Sequence, residues 1–343
     1  MKALMIGGTG VISTSVTRRL LEQGWEVTLL NRGQHAALER PFDGNVRQLT
    51  ADINDEARVA ALLGDTVYDA VCDFIVFTPD QAARDVRLFR DHARQYVFIS
   101  SASAYCKPLP RLPITEDTPL NNPYWLYSRN KAACEELLLA EHARTGFPVT
   151  IVRPSHTYSE RKVPVPLHGN HGSFQVVERI RQGKKVIVPG DGTSLWTLTH
   201  SNDFAKGFCG LMGNPHAIGN AYHITSDERM TWDQIVRTTA QALGVEARIV
   251  HIPTDVLGRL NHEWVGAMAG DKSNSVWFDN TKIKREAPEF VCTTRFDEGV
   301  REALHTIYAD TSLQKLDPAF DEWCDRVIAQ YEAAMETLPA FEG

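Results

Sequence analysis

The sequence predicts an α/β fold, a doubly wound parallel sheet with a smaller mixed α/β lobe after it. Two observations carry that prediction. Short apolar runs alternate with longer amphipathic segments through the first half of the chain, the order that a parallel sheet covered by helices requires. The runs are also apolar on both faces, as strands buried between two helical layers must be. A length of 343 residues suits about two domains and needs no disulfide or metal staple to build a core.

The elements follow in order. Candidate strands are Ala3–Ile6, Glu26–Leu30, Val46–Leu49, Ala70–Phe74, Tyr96–Ile99 and Val149–Val152, with helical patterns at Val11–Gln23, Asp80–Ala93 and Ser128–Arg144. Past Tyr158 the pattern loosens: Pro164, Pro166, Gly169 and Gly172 mark a loop. A helical stretch (Ser173–Gln182), a short strand (Val186–Val188) and the turn Pro189-Gly190-Asp191-Gly192 come next. Phe320, Trp323, Val327, Ile328 and Tyr331 recur at helical spacing within Asp317–Thr337, a terminal packing helix. The chain therefore reads as two lobes, residues 1–158 and a smaller mixed region over most of 159–343.

Composition narrows the partners. Thirty-six Lys+Arg against 43 Asp+Glu give a formal charge of −7, which argues against nucleic acid, whose backbone calls for a basic face. Mean hydropathy is −0.27, and no apolar run approaches the ~20 residues of a membrane span. The five-residue apolar start is too short for a signal-peptide core and reads as a strand. Six cysteines without a CxxC pair fit a reducing cytosol, so a cytoplasmic protein is expected.

Gly7-Gly8-Thr9-Gly10-Val11-Ile12-Ser13 follows the first strand and opens a helix. Glycines there let backbone amides approach a pyrophosphate at the helix N-terminus. A tight turn without a ligand is the competing reading. The second strand ends at Asn31-Arg32, where an acidic residue would select the ribose diol of NAD; Asn31 repels no phosphate and Arg32 can pair with one. NADP is thus favoured over NAD, the alternative being a solvated Arg32 or one stacked on adenine. Asp52-Ile53, after the third strand, can reach the adenine, or Asp52 can simply cap the next helix.

Tyr127 and Lys131 lie one helical turn apart. A free tyrosine titrates near pH 10, and a neighbouring ammonium favours its phenolate. Lys131 can also hold ribose hydroxyls. Alone, the YxxxK spacing is commonplace, but it follows a strand ending in Ser100-Ser101-Ala102-Ser103-Ala104-Tyr105, whose hydroxyls can polarise the oxygen that Tyr127 protonates.

With these residues the chain resembles the extended short-chain dehydrogenase/reductase superfamily, the NAD-dependent epimerase/dehydratase branch, as an atypical member. The resemblance rests on GGTGVIS at 7–13, SSASAY at 100–105, YSRNK at 127–131 and RPSHTY at 153–158, with further similarity at 189–205, 279–282 and 296–299. It implies a Rossmann-type sheet and a catalytic set of Ser101, Tyr127 and Lys131. It also implies that 199–223 return to the first lobe and that the second binds substrate. It implies cofactor contacts from Gly7, Thr9, Gly10, Val11, Ile12, Asn31, Arg32, Asp52, Ile53, Lys131 and Pro154, and a homodimer through 128–144 as an option. The activity implied is hydride transfer at a secondary hydroxyl of a sugar or sugar-like small molecule, by an epimerase or a dehydrogenase.

The departures matter too. Family dehydratases carry an Asp-Glu pair after the catalytic hydroxyl; Ala102-Ser103 stand there, which weakens the nucleotide-sugar dehydratase reading. Trp196 stands near an arginine that grips the substrate diphosphate in relatives, so it either faces a sugar ring or packs in the core. His156 occupies a common substrate-contacting position, and Ser103 is the reserve hydroxyl. His168 and His171 lack a third ligand, so no metal is expected. The class that remains beside an enzyme is a catalytically idle dinucleotide-binding protein with a regulatory or RNA-binding role, since Asn-Arg-Gly after the second strand resembles atypical relatives, some of which bind RNA.

Overall fold

Strand β1 (Lys2–Ile6) turns Ala3 and Met5 to one face and Leu4 and Ile6 to the other, and all four are buried. That double burial explains the absence of polar alternation in the run. The computed structural model describes residues 1–33, 42 and 46–340. Helix α1 (Val11–Glu22), β2 (Glu26–Asn31), β3 (Val46–Thr50), α2 (Glu56–Leu63), β4 (Ala70–Asp73), α3 (Pro79–Phe89), β5 (Tyr96–Ile99), α4 (Leu126–Thr145) and β6 (Val149–Pro154) follow. The strands form one seven-stranded sheet in the order Ala221–Ile224, β6, β5, β4, β1, β2, β3. Every pairing in it is parallel, so the doubly wound α/β sheet read from the sequence is present.

Two apolar layers flank the sheet. Val16 and Leu20 of α1 join Phe204, Phe208, Ile283 and Phe290 on one face; Val59, Phe89, Cys134 and Leu138 cover the other. The chain divides into two compact units, Met1–Thr157 with Thr199–Asp227 and Trp277–Thr293, and Tyr158–Leu198 with Glu228–Val276 and Thr294–Gly343. The segment 277–293, read above with the second lobe, has contacts in the first unit. Its six-residue helix Thr281–Glu286 is too short to show a periodicity in sequence.

The second unit is mixed. Strand Lys185–Pro189 pairs in parallel with Arg248–Ile252, and helices Phe174–Arg181 and Pro318–Glu336 lie beside it. Arg179 on the first of these helices binds Asp321 at 2.6 Å and Asp325 at 2.7 Å on the second.

Buried charge also sits between the main sheet and α3. Asp73 at the end of β4 and Asp85 on α3 are both fully buried. Burial pushes the Asp73 carboxyl well above its ordinary range, and the Asp85 charge adds to the shift. A carboxyl raised on folding contributes stability that is full below its unfolded pKa of about 3.9 and fades as pH climbs toward the folded value. Asp73→Asn copies the protonated acid and does not titrate. Its melting temperature relative to wild type is therefore expected to rise from about pH 4 to about pH 8; a difference independent of pH would show that Asp73 is ionised in the native state.

Candidate active site

The carboxyl ends of β1 to β4 surround a groove of about 620 Å³. The sheet order places β1 between β2 and β4, the switch point at which parallel sheets open a crevice for ligands. Gly7 forms the floor at φ +74°, and a Cβ there would lie 2.7 Å from the Ile75 side chain. A Cβ on Gly8 would come within 2.6 Å of Leu29. Both glycines are therefore required by the turn.

Ser13, the last residue of the 7–13 segment, braces the turn. Its hydroxyl accepts the Gly10 N–H at 2.8 Å and donates to the Gly7 carbonyl at 2.8 Å. The side chain thus ties both ends of the turn at the N-terminus of α1, where backbone amides lack helical partners. The first turn of α1 carries no acidic residue, which keeps that end open to an anion. Asn31 lines the groove with its Nδ2 buried and, among the described residues, without a hydrogen-bond partner, an orphan donor of the kind a ligand oxygen satisfies. The glycine cradle and the orphan donor fit a dinucleotide.

Gly7, Thr9, Gly10, Asn31, Arg32, Asp52 and Ile53 all line this groove, whereas Val11, Ile12, Lys131 and Pro154 do not. Asp52 does not cap the next helix; Asp55 does, accepting from the Arg58 N–H. The Asp52 carboxylate instead accepts the Asn54 backbone N–H at 2.9 Å and side-chain amide at 3.0 Å. Ile75, Phe77 and Arg84 line the groove as well and were not picked out in sequence. Their signal was positional, since they follow the strand across the switch point from β1.

Lys131 is almost fully buried, its ammonium donating to the carbonyls of Val76 at 2.5 Å and Ile99 at 2.7 Å. The rings of Phe77, Phe98 and Tyr127 have their centroids 4.8, 5.0 and 5.7 Å from Nζ. Two carbonyls and three π-faces replace the lost water. Burial still lowers the Lys131 pKa to about 8, against the pull of Cys134, Asp73 and Glu135. Tyr127 is half-buried, its ring 4.9 Å from Trp125 and 6.4 Å from Phe77.

The serines form a chain. Ser128 Oγ donates to Ser103 Oγ at 2.8 Å, Ser103 Oγ lies 2.9 Å from Ser101 Oγ, and the Ser103 N–H reaches Ser101 Oγ at 3.2 Å. Ser103 is buried, and its hydroxyl is shared between Ser128 and Ser101. His156 is half-buried on the short strand His156–Tyr158. Trp196 lies in the second unit, 2% exposed and 5.2 Å from the Trp232 ring. Burial and the Trp232 contact agree with the core-packing alternative. Among the described residues no group of three or more His, Cys, Asp or Glu is placed to hold a metal, and no helix is long and apolar enough to cross a membrane.

The profile of the NAD dependent epimerase/dehydratase family matches residues 3–94 and 81–225. The chain belongs to that family. Within reach of this member are a chloroplast stem-loop binding protein of 41 kDa from Arabidopsis thaliana, 27% identical over 73% of this chain and 65% of its own length, and a 2'-dehydrokanamycin reductase from Streptomyces kanamyceticus, 25% identical over 84% of this chain and 80% of its own. A solved UDP-glucose 4-epimerase from Bifidobacterium longum, in complex with NAD+ and UDP, superposes with a TM-score of 0.72 at 19% identity, covering 91% of this chain and 99% of that one. The alignments span from about half to nearly nine-tenths of the length of the curated relatives, and just under two thirds of the stem-loop binding protein. The structural likeness carries the fold; the family profile carries the membership.

Proposed function

We propose that this family member is an NAD(P)-dependent oxidoreductase or epimerase that transfers a hydride at a secondary hydroxyl of a sugar or sugar-like substrate. One observation carries the reading: a buried lysine, a tyrosine one turn before it and a hydrogen-bonded serine stand in the same unit as a glycine-turn groove that fits a dinucleotide. A bound nicotinamide would supply the site that accepts or returns the hydride. Tyr127 would take the hydroxyl proton in oxidation and give it back in reduction. The Lys131 ammonium favours the phenolate form and, with two donors used on Val76 and Ile99, keeps a third for a ribose hydroxyl. Ser128 donates to Ser103, and the chain is productive when Ser103 donates in turn to Ser101 rather than accepting from it. Ser101 then holds two incoming bonds, and its own hydrogen is left for the substrate oxygen. His156 stands after β6 as a candidate substrate contact.

The test is a screen of free and nucleotide-linked sugars for a change in nicotinamide absorbance, beside identification of any dinucleotide that co-purifies. Retained oxidised cofactor with an epimerised product would mark an epimerase; net absorbance change would mark a dehydrogenase. Absence of dinucleotide binding would overturn the reading. NADP is the preferred cofactor in this proposal, because Arg32 lines the groove beside Asn31 and, among the described residues, no carboxylate stands at 31–33, the β2 end. Arg32→Ala is expected to weaken NADPH binding by about ten-fold and NADH binding much less, as loss of one charged hydrogen-bonded contact would. Equal losses, measured by fluorescence titration, would remove the preference.

A second reading draws support from the likeness to the stem-loop binding protein: a dinucleotide-binding protein that recognises RNA. The net charge of −7 stands against it. Tight, salt-sensitive retardation of an RNA stem-loop in a gel would favour it.

A further inference from the structure

Beneath the dinucleotide groove lies a hydrogen-bonded path that leaves the core and ends on an exposed loop. Arg84 on α3 grips the Asp85 carboxylate with Nε at 2.8 Å and Nη2 at 2.7 Å, and Nη2 also lies 3.4 Å from Asp73. Tyr96 on β5 donates to the other Asp85 oxygen at 2.6 Å. The remaining nitrogen, Nη1, points away from this cluster and donates to Asn54 Oδ1 at 2.8 Å. Asn54 in turn donates through its backbone and its side chain to Asp52. The opposite wall is held by the same carboxylates, since Asp73 accepts the Ile75 N–H at 2.7 Å and Ile75 abuts Gly7.

A buried ion cluster of this kind is weak as a source of stability, because apolar residues of similar volume commonly serve as well. Its geometry has a different use. One guanidinium, itself a lining residue of the groove, fixes the loop after β3 relative to the end of β4. We infer that Arg84 is a positioning residue for the adenosine half of the dinucleotide, acting through Asn54 on the Asp52–Asn54 loop. The inference rests on the reading that the groove takes a dinucleotide. It assigns Arg84 and Asn54 no contact with the reacting atoms.

The fragments of the cofactor provide the test. AMP and nicotinamide mononucleotide are titrated separately, by displacement of NADPH or NADH fluorescence, against wild type, Asn54→Ala, Arg84→Met and the double variant. Asn54→Ala and Arg84→Met are each expected to weaken AMP by about ten-fold and to leave the mononucleotide unchanged. The double variant is expected to be no worse than Arg84→Met, because both residues act along one path. Asn54 is exposed, and its truncation leaves the Arg84–Asp85 pair intact, so its melting temperature serves as a folding control even where Arg84→Met does not fold. Unchanged AMP affinity in Asn54→Ala, or equal losses for both fragments, would overturn the strut alone. A wild-type protein that binds no dinucleotide would overturn the groove's assignment and the strut with it.

Discussion

Tyr127→Phe is expected to lower turnover by about 10²- to 10⁴-fold while leaving dinucleotide affinity within about two-fold, the range that removal of a positioned acid–base group produces. The substitution deletes one oxygen and keeps the ring. Packing of that ring against Trp125 and Phe77 and its face toward Lys131 survive, so folding is not at issue. Loss of kcat without loss of cofactor binding then isolates the proton transfer. Lys131→Met serves as the contrast. Its ammonium holds Val76 and Ile99 carbonyls that an aliphatic side chain leaves unpaired, so stability and cofactor affinity are expected to fall together with turnover. Full activity in Tyr127→Phe, assayed with the substrate that changes nicotinamide absorbance, would remove tyrosine from the catalytic assignment.

The fold was legible because its strands are apolar on both faces and its glycine turn falls directly after the first of them. The near coincidence of Glu26–Leu30 with β2 and of Ser128–Arg144 with α4 reflects that strong patterning. Trp277–Thr293 was not legible, since its contacts with the first unit are made by single residues such as Ile283 and Phe290 rather than by a periodic face. In the site, residue type pointed to Tyr127, Lys131 and the glycines, whose chemistry is local to a motif. What it could not reveal were roles set by partners far away in sequence. Ser103 offers a hydroxyl like that of Ser101, and only Ser128, 25 positions on, shows that it is committed internally. Arg84 reads as one more polar residue on an amphipathic helix, and only Asn54, 30 positions before it, gives it a task. Trp196 is ambiguous for the same reason, its partner Trp232 lying on a different element.

Glu135→Leu is expected to destabilise the protein by about 3–5 kcal/mol, the cost of leaving one member of a buried ion pair without the other. Arg153 on β6 meets Glu135 on α4 through Nε at 3.0 and 3.1 Å and through Nη2 at 2.6 Å, with both side chains buried. The same guanidinium donates to the Tyr105 hydroxyl at 3.0 Å and the Glu116 carbonyl at 2.9 Å. Glu135 stands one turn after Lys131, so the pair pins the helix carrying Tyr127 and Lys131 to the sheet. Leucine fills much of the volume but leaves the guanidinium charge in an apolar setting, and the melting temperature should fall by about 4–7 °C. Adding Arg153→Met removes that stranded charge and should recover part of the loss. Recovery will be incomplete because Tyr105 and Glu116 lose a donor in the double variant. A single-variant cost under about 1 kcal/mol would mean that water reaches the pair and screens it as at a surface, leaving the packing of Cys134 and Leu138 as what holds α4 to the sheet.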